Sequence, residues 1–254
     1  MYPWVSALAV ATALAAGGTP PASSSLLVSA AVSLTEALAD CAAAFEARTG
    51  QEVNFNFAAS NALARQVVHG APVDVFISAD EAQMEVADRA GSLRAGSRVA
   101  IAGNTLAVIV PGRGAGRWPE PSRLLSPRVR RIAVGDPRAV PAGVYAMAWL
   151  QRIGMRQPLQ DRLVPSGSVR GALALVAGGA VDAGIVYLTD ARTSHQVAVV
   201  YEVRGPGAPS ILYTAAVTRQ SGNPRGARAF LEFLREMAGQ QILARYGFTP
   251  PPAS

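Results

Sequence analysis

The chain has no lysine: all 23 of its basic residues are arginine. That excludes a phosphate-binding loop built on lysine and any Schiff-base chemistry. There is one cysteine, Cys41, so no disulfide can form within the chain. It falls on the apolar face of a helical stretch and reads as core packing. The two histidines, His69 and His195, lie beside a helix stop and in a loop, and read as surface residues. No Gly-x-Ser-x-Gly elbow is present, so a serine hydrolase using Ser33 would need His69 brought beside it by the fold. Aromatic residues make up only 6% of the chain, and none interleaves with its one basic cluster, Arg128-Val129-Arg130-Arg131. A nucleic-acid-binding stripe is therefore not expected. Asp74 and Asp136 have no histidine or cysteine nearby to complete a metal site, and Asp136 in Gly-Asp-Pro reads as a turn residue.

What is present is apolar and periodic. The 254 residues are 50% hydrophobic and 16% charged, with a formal net charge of +6. That suffices for one large core or two modest ones. Residues 1–25 read as an export signal and leader, with an apolar run from Val5 to Ala16 and a small-residue cleavage site at Ala13-Leu14-Ala15. The start, Met1-Tyr2-Pro3-Trp4, lacks the usual arginine or lysine.

Leu26 to Ala30 reads as a buried strand, and Leu34, Leu38, Cys41 and Phe45 follow at helical spacing. Ser33 with Glu36 three residues later forms the pattern of a capping box. Such a corner also presents free amides and a positive helix end to an anion. A second strand over Val53–Phe57 leads to a helix capped by Ser60, and a third over Val73–Ser78 leads to a helix from Asp80. After an apolar strand, Thr105–Val110, the pattern recurs. Strand Arg131–Val134 precedes a loop over 135–143 and a helix from Val144. Leu163-Val164 then precedes Ser166-Gly167-Ser168, which caps the helix Val169–Val176, and Ala183–Tyr187 is the next strand. Ser33 to Ser60 is 27 positions, as is Ala142 to Val169. Two facing βαβαβ units would bring four strand-to-helix corners to one cleft, at the carboxyl ends of their strands.

The expected fold is α/β and two-lobed, each lobe a mostly parallel sheet wrapped by helices. Residues 26–101 with 200–254 form lobe I and residues 102–199 lobe II, with approximate boundaries and two crossings acting as a hinge. The corners offer donors and no acceptor. Such a pocket suits a fully deprotonated oxyanion and penalises hydrogen phosphate, whose proton would face buried donors. Arg170, one residue into a helix, is within reach of the cleft.

The chain resembles the periplasmic molybdate-binding proteins of ABC transporters from about Leu26 to Phe248. Seven motifs carry the likeness in order: Ala30-Ala31-Val32-Ser33-Leu34-Thr35; Phe57-Ala58-Ala59-Ser60 with Leu63-Ala64-Arg65-Gln66; Gly70 to Asp80; Val134-Gly135-Asp136-Pro137 with Val140-Pro141-Ala142-Gly143; Val169 to Val176; Gly184-Ile185-Val186-Tyr187; and Arg245-Tyr246-Gly247-Phe248. Ala59 and Asn61 flank Ser60 where the family often carries more serine. The resemblance implies a tetrahedral oxyanion held by hydroxyl and amide of Ser33 and Ser60, the amides of Ala142 and Val169, and the hydroxyl of Tyr187. It implies a periplasmic, monomeric binding protein that is not an enzyme and has no cofactor. Its ligand would be molybdate or tungstate, and its partner the membrane permease. The alternatives are a two-lobed oxyanion sensor and a binding protein for another oxyanion such as sulfate.

Overall fold

The computed structural model describes residues 25–112 and 115–251. The export signal expected over 1–25 therefore lies, up to residue 24, outside the described residues. Among the described residues no helix is long and apolar enough to cross a membrane.

Among the described residues, ten strands form two five-stranded sheets. The first holds β1 (Leu26–Ala31), β2 (Val53–Ala58), β3 (Val75–Ser78), β4 (Val99–Asn104) and β10 (Ile211–Val217), in the order β2-β1-β3-β10-β4. The second holds β5 (Leu106–Pro111), β6 (Ile132–Gly135), β7 (Leu163–Ser166), β8 (Ala183–Tyr187) and β9 (Val197–Glu202), in the order β7-β6-β8-β5-β9. Each sheet has a parallel trio, β2-β1-β3 or β7-β6-β8, followed by one antiparallel insertion, β10 or β5. The inserted strand comes from the far side of a crossing. The chain passes between sheets at Thr105 and returns through residues 203–210.

The helices are α1 (Thr35–Thr49), α2 (Ser60–Val68), α3 (Glu81–Arg89), α4 (Pro141–Arg152), α5 (Arg156–Leu159), α6 (Val169–Ala177), α7 (Leu188–Arg192), α8 (Pro224–Arg235) and α9 (Met237–Arg245). Leu34, Leu38, Cys41 and Phe45 are at most 1% exposed, as their spacing predicts, and each buried side chain of this size contributes ~1.5–3 kcal/mol. Phe45 of α1 meets Phe230 of α8 edge-on at 5.2 Å, which ties α8 to α1. Gly50 ends α1 in the left-handed conformation at φ 70°, where a side chain would be strained. Burial pushes the Cys41 thiol up to about 12, so it stays an unreactive part of the core.

Three local expectations fail. The capping box does not form: Ser33 sits in a 3-10 turn over Val32–Leu34, and Leu34 occupies the cap of α1 with no side-chain bond. Ser60 is the first residue of α2, with Ala59 at the cap. The stretch 141–143 is the first turn of α4 rather than loop. Pro141 fits there because a first-turn amide lacks an intrahelical acceptor. Gly143 fits because a Cβ on it would lie 2.0 Å from the Gly135 carbonyl oxygen, so α4 starts against the end of β6. Strand β4 was not signalled, since Val99-Ala100-Ile101-Ala102-Gly103 lacks alternation.

Candidate functional site

Four connections run from the carboxyl end of a strand into a first helical turn. β1 leads to Ser33, β2 to Ser60, β6 through the 136–140 turn to Ala142, and β7 through Ser166-Gly167-Ser168 to Val169. Tyr187 ends β8, paired with Leu106 just past the crossing at Thr105. The structure brings all five residues to one cavity between the sheets, together with Ala31, Val32, Ala58, Ala59, Ala79, Val140 and Pro141. The five are 1–4% exposed, so a ligand here loses its water and depends on the wall for hydrogen bonds. The cavity leaves about 10 Å³ for the centre of a water-sized sphere. That is room for about one such sphere, so the cavity is small and narrow.

The wall is largely apolar, and the polar groups it presents are donors. Ser60, Ala142 and Val169 lie at the starts of α2, α4 and α6, where amides have no acceptor within the helix and the dipole is positive. Ser168 caps α6 by accepting from the Gly171 amide at 3.0 Å, as its position predicts. The Ser60 hydroxyl oxygen accepts from the Ala79 amide at 3.0 Å, which leaves its proton for the cavity. The Tyr187 hydroxyl is buried and has no hydrogen-bond partner among the described residues. Burial, then the neighbouring Tyr213, Tyr145, Asp80 and Asp190, push this phenol well above its ordinary range, so it remains a donor at neutral pH.

Among the described residues no guanidinium lines the cavity. Arg170 turns aside: its two terminal nitrogens donate to Glu36 at 3.0 and 2.7 Å, its Nη1 also to the Thr193 hydroxyl at 3.1 Å, and its Nε to Asp190. Burial works to raise the Glu36 carboxyl, but the hydrogen bond and charge of Arg170 outweigh it, and Glu36 titrates below its usual value. Asp190 has the opposite balance. Complete burial raises it to about 6 despite Arg170.

Sequence reasoning missed Tyr213, which is fully buried and whose hydroxyl lies 2.9 Å from the Ser33 hydroxyl. It also missed Asn104, whose amide nitrogen donates to Tyr213 at 3.1 Å and to Thr189 at 2.9 Å. A buried tyrosine in an apolar strand carries no local signal of a polar role. The other residues weighed for chemistry lie elsewhere. His69 is exposed, with its Nδ1 at 2.7 Å from the Arg65 carbonyl, so it is not the base that a hydrolase on Ser33 needs. Asp136 forms a turn, accepting from the Arg138 amide and guanidinium. Asp74 accepts from the Leu27 and Asn223 amides and the Ser221 hydroxyl, which pins the approach to α8 onto β1. No group of three or more histidine, cysteine, aspartate or glutamate side chains among the described residues is arranged to hold a metal ion.

Residues 26–249 match the family model described as bacterial extracellular solute-binding protein. The molybdate-binding protein ModA of Escherichia coli (strain K12) is 38% identical over 233 residues, covering 88% of each chain. The solved periplasmic molybdate-binding protein of Azotobacter vinelandii superposes with a TM-score of 0.78 at 27% identity, over 89% of this chain and 99% of that one. The sulfate-binding protein SubI of Mycobacterium tuberculosis H37Rv superposes with a TM-score of 0.79 at 20% identity, over 90% of this chain and 87% of that one. At that identity the likeness is one of fold alone.

Proposed function

The chain belongs to the bacterial extracellular solute-binding protein family, within the group of the molybdate-binding proteins, and from that premise we propose that it binds molybdate, and tungstate, for an ABC-type uptake transporter. The observation that carries this reading is the cavity itself. Serine hydroxyls, first-turn amides and a buried tyrosine hydroxyl with no partner among the described residues line one small cavity. In this reading Ser33 and Ser60 donate through hydroxyl and amide, Ala142 and Val169 through their amides, and Tyr187 through its hydroxyl. The ion is held as an oxyanion, by neutral dipoles rather than by a cation.

The unit built on the first sheet acts as one lobe and that built on the second as the other, closing over the ion. The crossings at Thr105 and 203–210 serve as the hinge, a few residues beyond the 101/102 and 199/200 boundaries expected from sequence. Residues 1–25 direct export to the periplasm. There the protein works as a monomer, performs no reaction, needs no cofactor and hands its ion to the membrane permease. Nucleic acid plays no part.

Titration calorimetry with molybdate, tungstate, sulfate and phosphate tests the reading. The expected result is tight binding of molybdate and tungstate and far weaker binding of sulfate and phosphate. Sulfate binding as tight as molybdate would overturn the assignment.

A further inference from the structure

The cavity accepts a proton-free oxyanion only if each hydroxyl in its wall points its proton inward. For Ser33 that direction is set two residues away. The Thr105 amide can only donate, and it lies 2.8 Å from Asn104 Oδ1. The Asn104 NH2 must then face the other way, toward the Thr189 hydroxyl at 2.9 Å and the Tyr213 hydroxyl at 3.1 Å. An amide NH2 is donor only, so the Tyr213 oxygen accepts from it. Tyr213 has one proton left, and its other hydrogen-bond neighbour among the described residues is Ser33 Oγ at 2.9 Å. Were Ser33 to donate to Tyr213 instead, the phenolic proton would be stranded at a residue with no exposed surface, a costly arrangement. Tyr213 therefore donates to Ser33, and the Ser33 proton turns to the cavity that Ser33 lines. Burial, then the charge of Asp190, hold the Tyr213 phenol well above its ordinary range, so the relay keeps its proton at neutral pH.

We propose that Asn104 and Tyr213 are positioning residues for ligand specificity: the Thr105–Asn104–Tyr213–Ser33 relay locks Ser33 as a donor and so disfavours a protonated oxygen of the anion at the Ser33 position. This rests on the oxyanion-binding reading of the cavity. Thr105 is the single residue between β4 and β5, and Thr189 belongs to α7 beside the second sheet. The relay thus starts at the crossing and ends at the ion.

The test reverses the relay. In Asn104→Asp the carboxylate still accepts from Thr105 but now also accepts from Tyr213. The Tyr213 oxygen is then free to accept from Ser33, whose lone pairs turn to the cavity. Sulfate and hydrogen phosphate, alike in size and, near pH 8.5, in charge, report the change, because the added carboxylate acts on both dianions equally. Calorimetric titration of each into wild type and variant should show the phosphate-to-sulfate affinity ratio rising at least tenfold in Asn104→Asp. Tyr213→Phe, which frees Ser33 without inverting it, should raise the ratio by a smaller factor of about three, and it serves if Asn104→Asp does not fold. Ratios within twofold of wild type in a folded variant would overturn the relay. Because the ratio involves neither molybdate nor tungstate, a wild-type protein that bound sulfate and refused molybdate would overturn the function reading and leave the relay standing.

Discussion

Arg170 of α6 grips Glu36 of α1 through both terminal nitrogens, at 2.7 and 3.0 Å, and so joins the unit on the second sheet to the unit on the first. The pair flanks the cavity on both sides of the sequence that lines it. Glu36 follows Ser33 by three residues, and Arg170 follows Val169 directly. Asp190 and Thr193 orient the guanidinium from behind.

Glu36→Gln should therefore speed ion release without removing any group that faces the ion. The side chains are 22% and 41% exposed, so solvent screening limits the effect to about 0.5–1.5 kcal/mol, or roughly two- to tenfold in the dissociation rate. Stopped-flow displacement of bound molybdate measures it. An unchanged release rate would show that the pair does not hold the closed form.

Tyr187→Phe keeps the ring, which packs at 5.8 Å from the ring of Tyr213, and removes a hydroxyl that has no partner among the described residues. Thermal unfolding without ligand should be unchanged or slightly raised. Affinity for molybdate should fall by roughly 1.5–3 kcal/mol, the size of one hydrogen bond to a charged acceptor. The loss should appear mainly in dissociation.

Ser60→Ala should behave differently, because its oxygen serves the fold as well as the cavity. The Ala79 amide loses its acceptor at a residue that is only 3% exposed. The protein without ligand should lose about 1–3 kcal/mol of stability in denaturant titration, in addition to weaker binding. Equal unfolding midpoints for Ser60→Ala and wild type would mean that the Ala79 amide finds another partner.

These two residues also show what the sequence could and could not convey. The strand-to-helix corners were legible because β1 and β6 are short apolar runs, β2 alternates and β7 opens on Leu163-Val164, each followed by helix-start residues. Which residues at those corners would face the ion, and that Tyr187 would join them, came from the family resemblance rather than from the local pattern. The role of each serine was not legible. Capping patterns are local, whereas the partners of Ser33 and Ser60 are Tyr213 and Ala79, 180 and 19 positions away. Arg170 could be placed near the cleft by its position in α6. Its turn toward Glu36 depends on how the two halves meet, which no local pattern encodes.

Asp190 gives a pH dependence whose sign is opposite to that of an ordinary ion-paired carboxylate. Its folded value is raised to about 6, against about 3.9 unfolded. Its contribution to stability is full below about pH 4 and is lost as pH rises through about 6, by ~2–3 kcal/mol. Asp190→Asn removes this dependence. The difference in unfolding free energy, variant minus wild type, should therefore grow more positive from pH 4 to pH 7 and then level off. A difference that is flat across that range would mean that Asp190 is ionised throughout in the folded protein, held so by Arg170.

The measurement that bears most directly on the site is anomalous diffraction at the molybdenum edge from crystals grown with molybdate. The account predicts a single molybdenum peak in the cavity between the sheets. Around it, the Ser33 and Ser60 hydroxyls, the Ala142 and Val169 amides and the Tyr187 hydroxyl should lie at about 2.7–3.1 Å from the ion's oxygens. A peak elsewhere on the molecule, or an ion in the cavity held by a guanidinium while Tyr187 points away, would contradict it.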